Sequence, residues 1–215
     1  MFRCSVEPAR MPTLDELRVA DQPAAWAAAG FAPDGDLLEL GGVRVRFVDP
    51  AAGRGIVGWS LRGLGSTELD GLPTERSSAP PADGAPQPNG VVAIDHVVAL
   101  TPKLERTQAA LEAAGLDFRR LREEPTPGGG GHQAFFRLGE LILEVVQAPP
   151  DSRIAAQPDG PARLWGISFL VSDLDATVAR LGELAGEPRD AVQEGRRIAT
   201  LRRDAGLGPA IAFMR

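Results

Sequence analysis

Apolar and polar residues alternate in three stretches of the chain, and each stretch predicts the same order of elements. The middle stretch opens with VVAIDHVVAL, residues 91–100, an apolar strand in which His96 and every second residue share one face. A helix over 103–114 and a strand over 118–124 follow. Two more strands flank a turn at Gly139 and Glu140, which gives the order β-α-β-β-β.

The third and first stretches repeat this order. In the third, an apolar strand over 162–173 leads to a helix over 174–184, two strands around Glu194-Gly195 and a last strand over 209–214. In the first, strand 14–20, helix 23–29, two strands around Gly41-Gly42 and a last strand, GIVGWSLRGL, give a more divergent copy. Threefold recurrence of one unit is stronger evidence than any single element.

Two segments rich in Pro, Gly and Ala separate the copies. We therefore predict an N-terminal module over 1–76, a linker over 77–90 and a C-terminal domain over 91–215, with modules 91–148 and 162–215. The predicted fold class is α+β. Two of the modules pair into a half-open barrel, because each sheet has one face for its helix and another that needs a partner.

Composition excludes several classes of function. The net charge of -6 gives no electrostatic reason to bind nucleic acid, and no apolar stretch approaches the length of a membrane span. A single cysteine, Cys4, cannot form an internal disulfide, which suits the cytoplasm. A second copy of the chain in a homodimer is an expected partner, since an unpaired third module leaves a sheet to be covered.

Three motifs carry a family resemblance: IDHVV at 94–98, LILEVVQ at 141–147 and WGISFLVSDLDATVARL at 165–181. They resemble modules of the vicinal oxygen chelate superfamily, which includes glyoxalases, bleomycin-resistance proteins and extradiol dioxygenases. The resemblance implies a bowl built from two modules. It also implies a divalent metal (Zn, Ni, Fe or Mn) held by a His on the first strand and a Glu on the fourth, here His96 and Glu144.

The chemistry of His96 and Glu144 suits such a pair, because imidazole nitrogen and carboxylate oxygen are good ligands for first-row metals. The second module departs from the pattern: aligning the modules puts Gly166 at the position of His96 and Ala212, or Phe213 after a shift of one residue, at that of Glu144. Two ligands would then need water, substrate or another chain. The alternative is that His96 and Glu144 hydrogen-bond each other without a metal.

The hairpin turn fixes which side chains join Glu144. A two-residue turn at Gly139 and Glu140 sets Phe135 opposite Glu144, with Gln133 and Arg137 on the same side and His132 pointing away. Candidate pocket residues therefore come from this face and from the apolar strand of the third stretch, namely Gln133, Phe135, Arg137, Trp165 and Phe169. The aromatic residues among them are more typical of core packing, and their place in a pocket wall follows only from the bowl that the resemblance implies.

Two further features bear on the site. Arg196 and Arg197 begin a strand, so one of them would point into the bowl, where an arginine could receive a carboxylate. The Gly-rich stretch 128–131 predicts a loop, since no helix follows it to form a phosphate site. The resemblance implies that this loop lies near the bowl mouth.

Two functions follow from the resemblance. The first is a metal-assisted lyase or isomerase, or a dioxygenase-like enzyme, in which the metal acts as a Lewis acid on a small substrate. The alternative is a metal-free protein of the bleomycin-resistance type that binds a small molecule in the bowl. The sequence identifies no general base, so the catalytic residues stay unknown.

Overall fold

The alternating apolar positions build two β-sheets in the computed structural model, which describes residues 11–124 and 131–215. The strands are β1 (Thr13–Val19), β2 (Leu37–Leu40), β3 (Val43–Phe47), β4 (Ile56–Arg62), β5 (Thr74–Ser77), β6 (Val91–Thr101), β7 (Asp117–Arg122), β8 (Gln133–Leu138), β9 (Leu141–Gln147), β10 (Arg163–Val171), β11 (Arg189–Asp190), β12 (Arg197–Thr200) and β13 (Ala210–Met214). The α-helices are α1 (Pro23–Ala28), α2 (Leu104–Ala113) and α3 (Leu174–Leu181). The fold class is α+β, as predicted. Cys4 and residues 128–130 of the Gly-rich loop lie outside the described residues.

The eight-stranded sheet contains the second and third copies of the repeated unit. Its strand order is β11-β12-β13-β10-β6-β9-β8-β7. In each half the first strand runs parallel to the fourth, and the two first strands, β6 and β10, pair antiparallel at the centre. The two modules are therefore joined into one continuous sheet.

Helices α2 and α3 cover one face of this sheet. Alternate residues of β6, such as Val97 and Ala99, point to that face and are fully buried. The α3 helix begins at Asp173, whose side chain accepts a hydrogen bond from the Ala176 N–H at 3.0 Å. It ends at Gly182, which adopts φ 56°, so the α-helix stops at Leu181 and a 3-10 turn continues to Leu184. The predicted helix over 174–184 was too long.

The five-stranded sheet has the order β2-β3-β1-β4-β5. Here β3 lies parallel to β1, and β4 adds antiparallel on the opposite edge of β1. The pairing resembles the centre of the larger sheet, where β10 and β6 are also antiparallel and each has a parallel neighbour. The first copy therefore has the predicted order of elements, but its last strand does not pair as the fourth strand of a single module.

The apolar face of the five-stranded sheet packs within the chain. One core of buried side chains runs from Leu17 and Trp59 of this sheet to Phe169 of the larger one. Trp26 of α1 lies 6.2 Å from Phe169 between ring centroids. The uncovered sheet face that the homodimer prediction assumed is thus covered by the same molecule.

The segment predicted as a linker, residues 77–90, contains only the last residue of β5 and otherwise no strand or helix. It is nevertheless held at several points. Arg62 donates a hydrogen bond to the carbonyl of Ala79, and the amide of Asn89 donates to the carbonyl of Gly30. Within the described ranges, no helix is both long and apolar enough to cross a membrane.

Candidate functional site

Strand β6 places Asp95 and His96 on the same face of the eight-stranded sheet. The pairing with β10 matches Ile94 to Phe169 and His96 to Ser168, so Asp95 has no partner and forms a β-bulge. The bulge turns the strand: Ile94 packs in the core, while His96 points to the face opposite the helices. The sequence analysis treated residues 91–100 as a regular strand and therefore put Ile94 and His96 on one face. This was wrong, because the extra residue Asp95 interrupts the alternation of the strand.

His96 and Glu144 lie side by side on this face. In the register of β6 with β9, Val98 pairs with Glu144, and His96 is two residues away on the same side. The distance from His96 Nε2 to Glu144 Oε2 is 3.5 Å. The side chains remain 19% and 17% exposed, so solvent reaches both. The structure therefore brings these two predicted residues together.

A chain of polar contacts continues from His96 to the third copy of the repeat. Asp95 Oδ2 lies 2.8 Å from His96 Nδ1, and Arg196 Nη2 donates to Asp95 Oδ1 at 2.6 Å. Arg196 is thus the arginine that points inward, whereas Arg197 pairs with Asp175 on the exposed side. We call the set Arg196, Asp95, His96 and Glu144 the polar chain.

The two carboxyl groups of the polar chain have opposite pKa shifts. Burial raises the pKa of Asp95, but hydrogen bonds from His96 and Arg196 outweigh it, and the net pKa lies below the usual value. Burial raises the pKa of Glu144, and the positive charges of His96, Arg122 and Arg120 offset only part of this effect. Asp95 is therefore ionised at neutral pH, and Glu144 keeps its proton to a higher pH than an exposed glutamate does.

The ionised Asp95 carboxylate determines which nitrogen of the His96 ring carries a proton. An ionised carboxylate only accepts hydrogen bonds, so Nδ1 must carry the hydrogen that faces Asp95. His96 Nε2 then faces Glu144 either with its lone pair or with a second proton.

Among the residues that the structure describes, the donor set around His96 does not complete a metal site. Only His96 Nε2 and Glu144 Oε2 face each other, and Asp95 is turned to the other ring nitrogen. The register gives Gly166 and Ala212 as the equivalent positions in the other half of the sheet, and neither side chain has a donor atom. Across residues 11–124 and 131–215, no group of three or more His, Cys, Asp or Glu is arranged to hold a metal ion. A catalytic zinc usually has three protein ligands.

The predicted hairpin register is confirmed. Phe135 pairs with Glu144, and Gln133 and Arg137 lie on the same side of β8. Gln133 is buried and donates to the backbone carbonyl of Glu124 at 3.3 Å. His132 lies elsewhere, in a smaller cleft of ≈ 390 Å³ beside the start of α2.

The two aromatic residues predicted from β10 have different environments. Phe169 is fully buried on the helix face, where its ring stacks with that of Phe213 and contacts those of Trp26 and Phe31. Its assignment to the pocket was wrong, because the bulge at Asp95 sets Phe169 and His96 on opposite faces. Trp165 lies at a second irregularity of β10 and is 49% exposed.

A cleft of ≈ 760 Å³ opens between the two ends of the eight-stranded sheet. Residues 120–124, from β7 onward, form one wall, and residues 192–194, between β11 and β12, form the other. Because β7 and β11 are the two edge strands, the sheet must curve for them to share a cleft. Arg120 and Phe135 pair in register, so the cleft lies on the face of Glu144, which we call the concave face.

Sequence reasoning missed Asp95, Ser168 and Arg120. Asp95 lies on the concave face only because of the bulge, which the sequence does not reveal. Two adjacent polar residues, Asp95 and His96, inside an apolar strand were nevertheless a signal of a polar site. The Arg120 guanidinium lies 4.7 Å above the Phe135 ring, a cation-π contact that needs the pairing of β7 with β8. Ser168 had no signal, since a serine in a strand is ordinary.

The comparison with family models matches residues 93–199 to the glyoxalase/bleomycin resistance protein/dioxygenase superfamily. Among solved structures, methylmalonyl-CoA epimerase from Mycobacterium tuberculosis shows 18% identity and a TM-score of 0.47 over 58% of this chain and 88% of that one. A second methylmalonyl-CoA epimerase shows 25% identity and a TM-score of 0.46 over 58% and 94%. A Streptomyces coelicolor variant of that enzyme, in complex with 2-nitronate-propionyl-CoA, shows 21% and 0.45 over 58% and 96%. No curated protein sequence matches the chain.

Proposed function

Because this chain carries a domain of the glyoxalase/bleomycin resistance protein/dioxygenase superfamily at residues 93–199, we propose that its concave face binds a small organic molecule without a resident metal. The observation that carries the proposal is the cleft between the two sheet edges, on the same face as the polar chain. Its volume of ≈ 760 Å³ falls within the range of about 300–1,000 Å³ that small-molecule sites occupy.

The lining of the cleft indicates a ligand that has polar groups and one apolar part. Most of the lining residues are charged or polar, namely Arg120, Arg122, Glu123, Glu124, Gln193 and Glu194. Leu121 and Val192 are large apolar side chains that stay exposed on opposite walls. Phe135, His96 and Glu144 lie outside this lining but on the same face of the sheet. Positioned polar groups of this kind orient a bound ligand.

A binding measurement with simple aromatic probes tests the proposal. Benzamide, benzoate and benzylamine share one apolar ring and differ only in the polar end, so calorimetric titration shows which end the site accepts. Val192→Glu places a charge on the cleft wall next to Glu194, and we expect it to weaken the binding of benzamide and of the benzoate anion at least severalfold.

The matched control is Met11→Glu. Met11 is 48% exposed and Val192 57%, so neither change should lower the unfolding temperature by more than about 1–2 °C. Met11 lies just before β1 of the five-stranded sheet, and its substitution should leave binding unchanged. Equal binding by both variants, or no binding of any probe to the unmodified protein at millimolar concentration, would contradict the proposed function.

A metal-assisted lyase or isomerase reaction is the second candidate function. One observation favours it: Asp95 fixes His96 Nδ1, which leaves Nε2 toward Glu144, and metal-bound histidines are commonly oriented by a carboxylate in this way. This chain would supply two ligands, His96 and Glu144, so water, substrate or another chain would supply the rest.

Metal analysis separates the two candidates. After incubation with Zn²⁺, Ni²⁺, Fe²⁺ or Mn²⁺ and dialysis, the metal-free proposal expects a substoichiometric content that His96→Ala does not change. Stoichiometric metal that is lost in His96→Ala, but kept in the His132→Ala control, would instead support the second candidate.

A further inference from the structure

Ser168 lies across the central strand pair from His96. The two residues are partners in the register of β10 with β6, and directly paired residues of antiparallel strands point to the same face. Ser168 also pairs with Ala212 of β13. Its side chain therefore belongs to the concave face, on the half of the sheet where the small residues Gly166 and Ala212 take the places of His96 and Glu144.

The Ser168 hydroxyl is buried without a hydrogen-bond partner. Among the described residues it is the one buried side-chain nitrogen or oxygen in this state. A buried hydroxyl that makes no hydrogen bond destabilises the protein, so such groups are uncommon and call for an explanation. The neighbouring His96 is partly exposed, so solvent reaches the residue next to Ser168.

The five-stranded sheet contains the same arrangement with its serine satisfied. In β1 the bulge residue is Asp15: Leu14 pairs with Leu61 and Glu16 with Ser60, just as Ile94 pairs with Phe169 and His96 with Ser168. Asp15 thus corresponds to Asp95, and Ser60 corresponds to Ser168. The Ser60 hydroxyl donates to Asp15 Oδ2 at 3.2 Å.

Asp95 does not accept from Ser168 in the same way. One of its oxygens receives His96 and the other receives Arg196, and the structure shows no contact with the serine. The acceptor that serves Ser60 in the smaller sheet is thus engaged elsewhere in the larger one. Ser168 keeps a free donor on the concave face next to the histidine.

We propose that the Ser168 hydroxyl binds an acceptor oxygen of the ligand, a carbonyl or carboxylate oxygen, on the side of His96 away from Glu144. This inference rests on the proposed binding function and names the chemistry of the ligand's polar end. A protonated amine has no acceptor lone pair, so a ligand with only an amine at that end cannot accept the hydrogen bond proposed for the Ser168 hydroxyl.

Ser168→Ala tests the inference in two measurements. Titration with benzamide and benzoate should show affinity reduced roughly tenfold, the usual effect of one lost hydrogen bond to a ligand, while any binding of benzylamine stays unchanged. Benzamide and benzoate separate a neutral carbonyl from a carboxylate as the preferred acceptor. In denaturant unfolding without ligand, Ser168→Ala should be as stable as the unmodified protein or more stable, since no bond is lost.

Ser60→Ala is the matched control, because Ser60 occupies the corresponding place and has a partner. It should lower the unfolding midpoint and leave the affinity for all three probes unchanged. If Ser168→Ala lowers the midpoint as Ser60→Ala does, the hydroxyl is bonded within the protein and the inference is wrong. Equal affinity of Ser168→Ala and the unmodified protein for benzamide and benzoate would overturn it as well.

The proposed function can fail separately from this inference. Absence of binding of every probe to the unmodified protein counts against the proposed function. In that case the unfolding comparison still decides whether the Ser168 hydroxyl is satisfied within the protein.

Discussion

Two carboxyl groups flank one imidazole, and their surroundings give them different charges. Asp95 is ionised because Arg196 and His96 donate to it, whereas burial favours the neutral form of Glu144. His96 is therefore oriented by a charged group on one side and faces a protonatable group on the other. A ligand on the concave face thus meets a donor or an acceptor at Glu144 according to its protonation.

Glu144→Gln is expected to change how stability depends on pH. The pKa of Glu144 is raised on folding, so its neutral form stabilises the folded state at low pH, and this contribution is lost as pH rises through the folded-state pKa. Gln keeps the neutral form at every pH. The variant should match the unmodified protein below pH 4.5, the usual pKa of a glutamate, and be more stable at pH 8, as measured by urea unfolding.

Glu140→Gln is the control for that comparison, because Glu140 is fully exposed in the turn of the same hairpin. Its substitution should leave the pH profile unchanged. A Glu144→Gln variant that is less stable than the unmodified protein at pH 8 would show that the charged carboxylate is the stabilised form.

At the scale of single residues, the sequence predicted the pair but not its surroundings. The adjacency of His96 and Glu144 follows from strand order and hairpin length, both of which leave a clear pattern. The contact of Arg196 with Asp95 joins residues 101 positions apart and depends on the bulge. A bulge adds one residue to a strand without a composition of its own, so the pattern does not reveal it.

At the scale of elements, regular strands were predictable and pairing in the first copy was not. Most strands alternate clearly, but β5 is TERS, with no buried side chain, so nothing marked it as a strand. In the first copy β3 takes the place parallel to β1. The last strand, β4, then pairs with the remaining edge of β1, which makes it antiparallel.

The segment between β4 and β5 is anchored to α2 by Asp70. Arg106 donates to both carboxylate oxygens of Asp70, and the Thr107 hydroxyl also donates to one of them. Asp70→Ala should lower the free energy of unfolding by about 1–3 kcal/mol, because it leaves a partly buried guanidinium without its carboxylate. Denaturant unfolding measures this loss.

Lys103→Ala provides the comparison at the start of the same helix. Its partner Asp159 is almost fully exposed, and exposed ion pairs contribute about 0–1 kcal/mol. If Asp70→Ala proved no more destabilising than Lys103→Ala, the anchor would have no energetic importance.

At the scale of the whole molecule, both sheets share one core. Trp26 is fully buried between Phe31, Phe47 and Phe169, and its indole N–H donates to Asp21 at 2.9 Å. Trp26→Ala should therefore cost about 3–5 kcal/mol, the usual range for a large aromatic residue removed from a core. Trp165→Ala, at a half-exposed site, should cost under about 1 kcal/mol.

Unfolding followed by far-ultraviolet circular dichroism and by tryptophan fluorescence should show one transition for the unmodified protein. Trp26 and Trp59 are fully buried beside or within the smaller sheet and dominate the change in fluorescence, because Trp165 of β10 is already half-exposed. Most of the strand signal in circular dichroism comes from the larger sheet. Two separated transitions would indicate that the sheets unfold independently and that the common core is not cooperative.

The shared core also limits how this protein could have diversified. A gene segment that encoded only residues 93–199 would transmit the family pattern, yet the product would leave Phe169 without the tryptophan and phenylalanine that cover it. Recombination between relatives should therefore succeed only when both sheets are inherited together. Selection for ligand binding would then also constrain the residues of the five-stranded sheet, even if every ligand contact lay on the eight-stranded sheet.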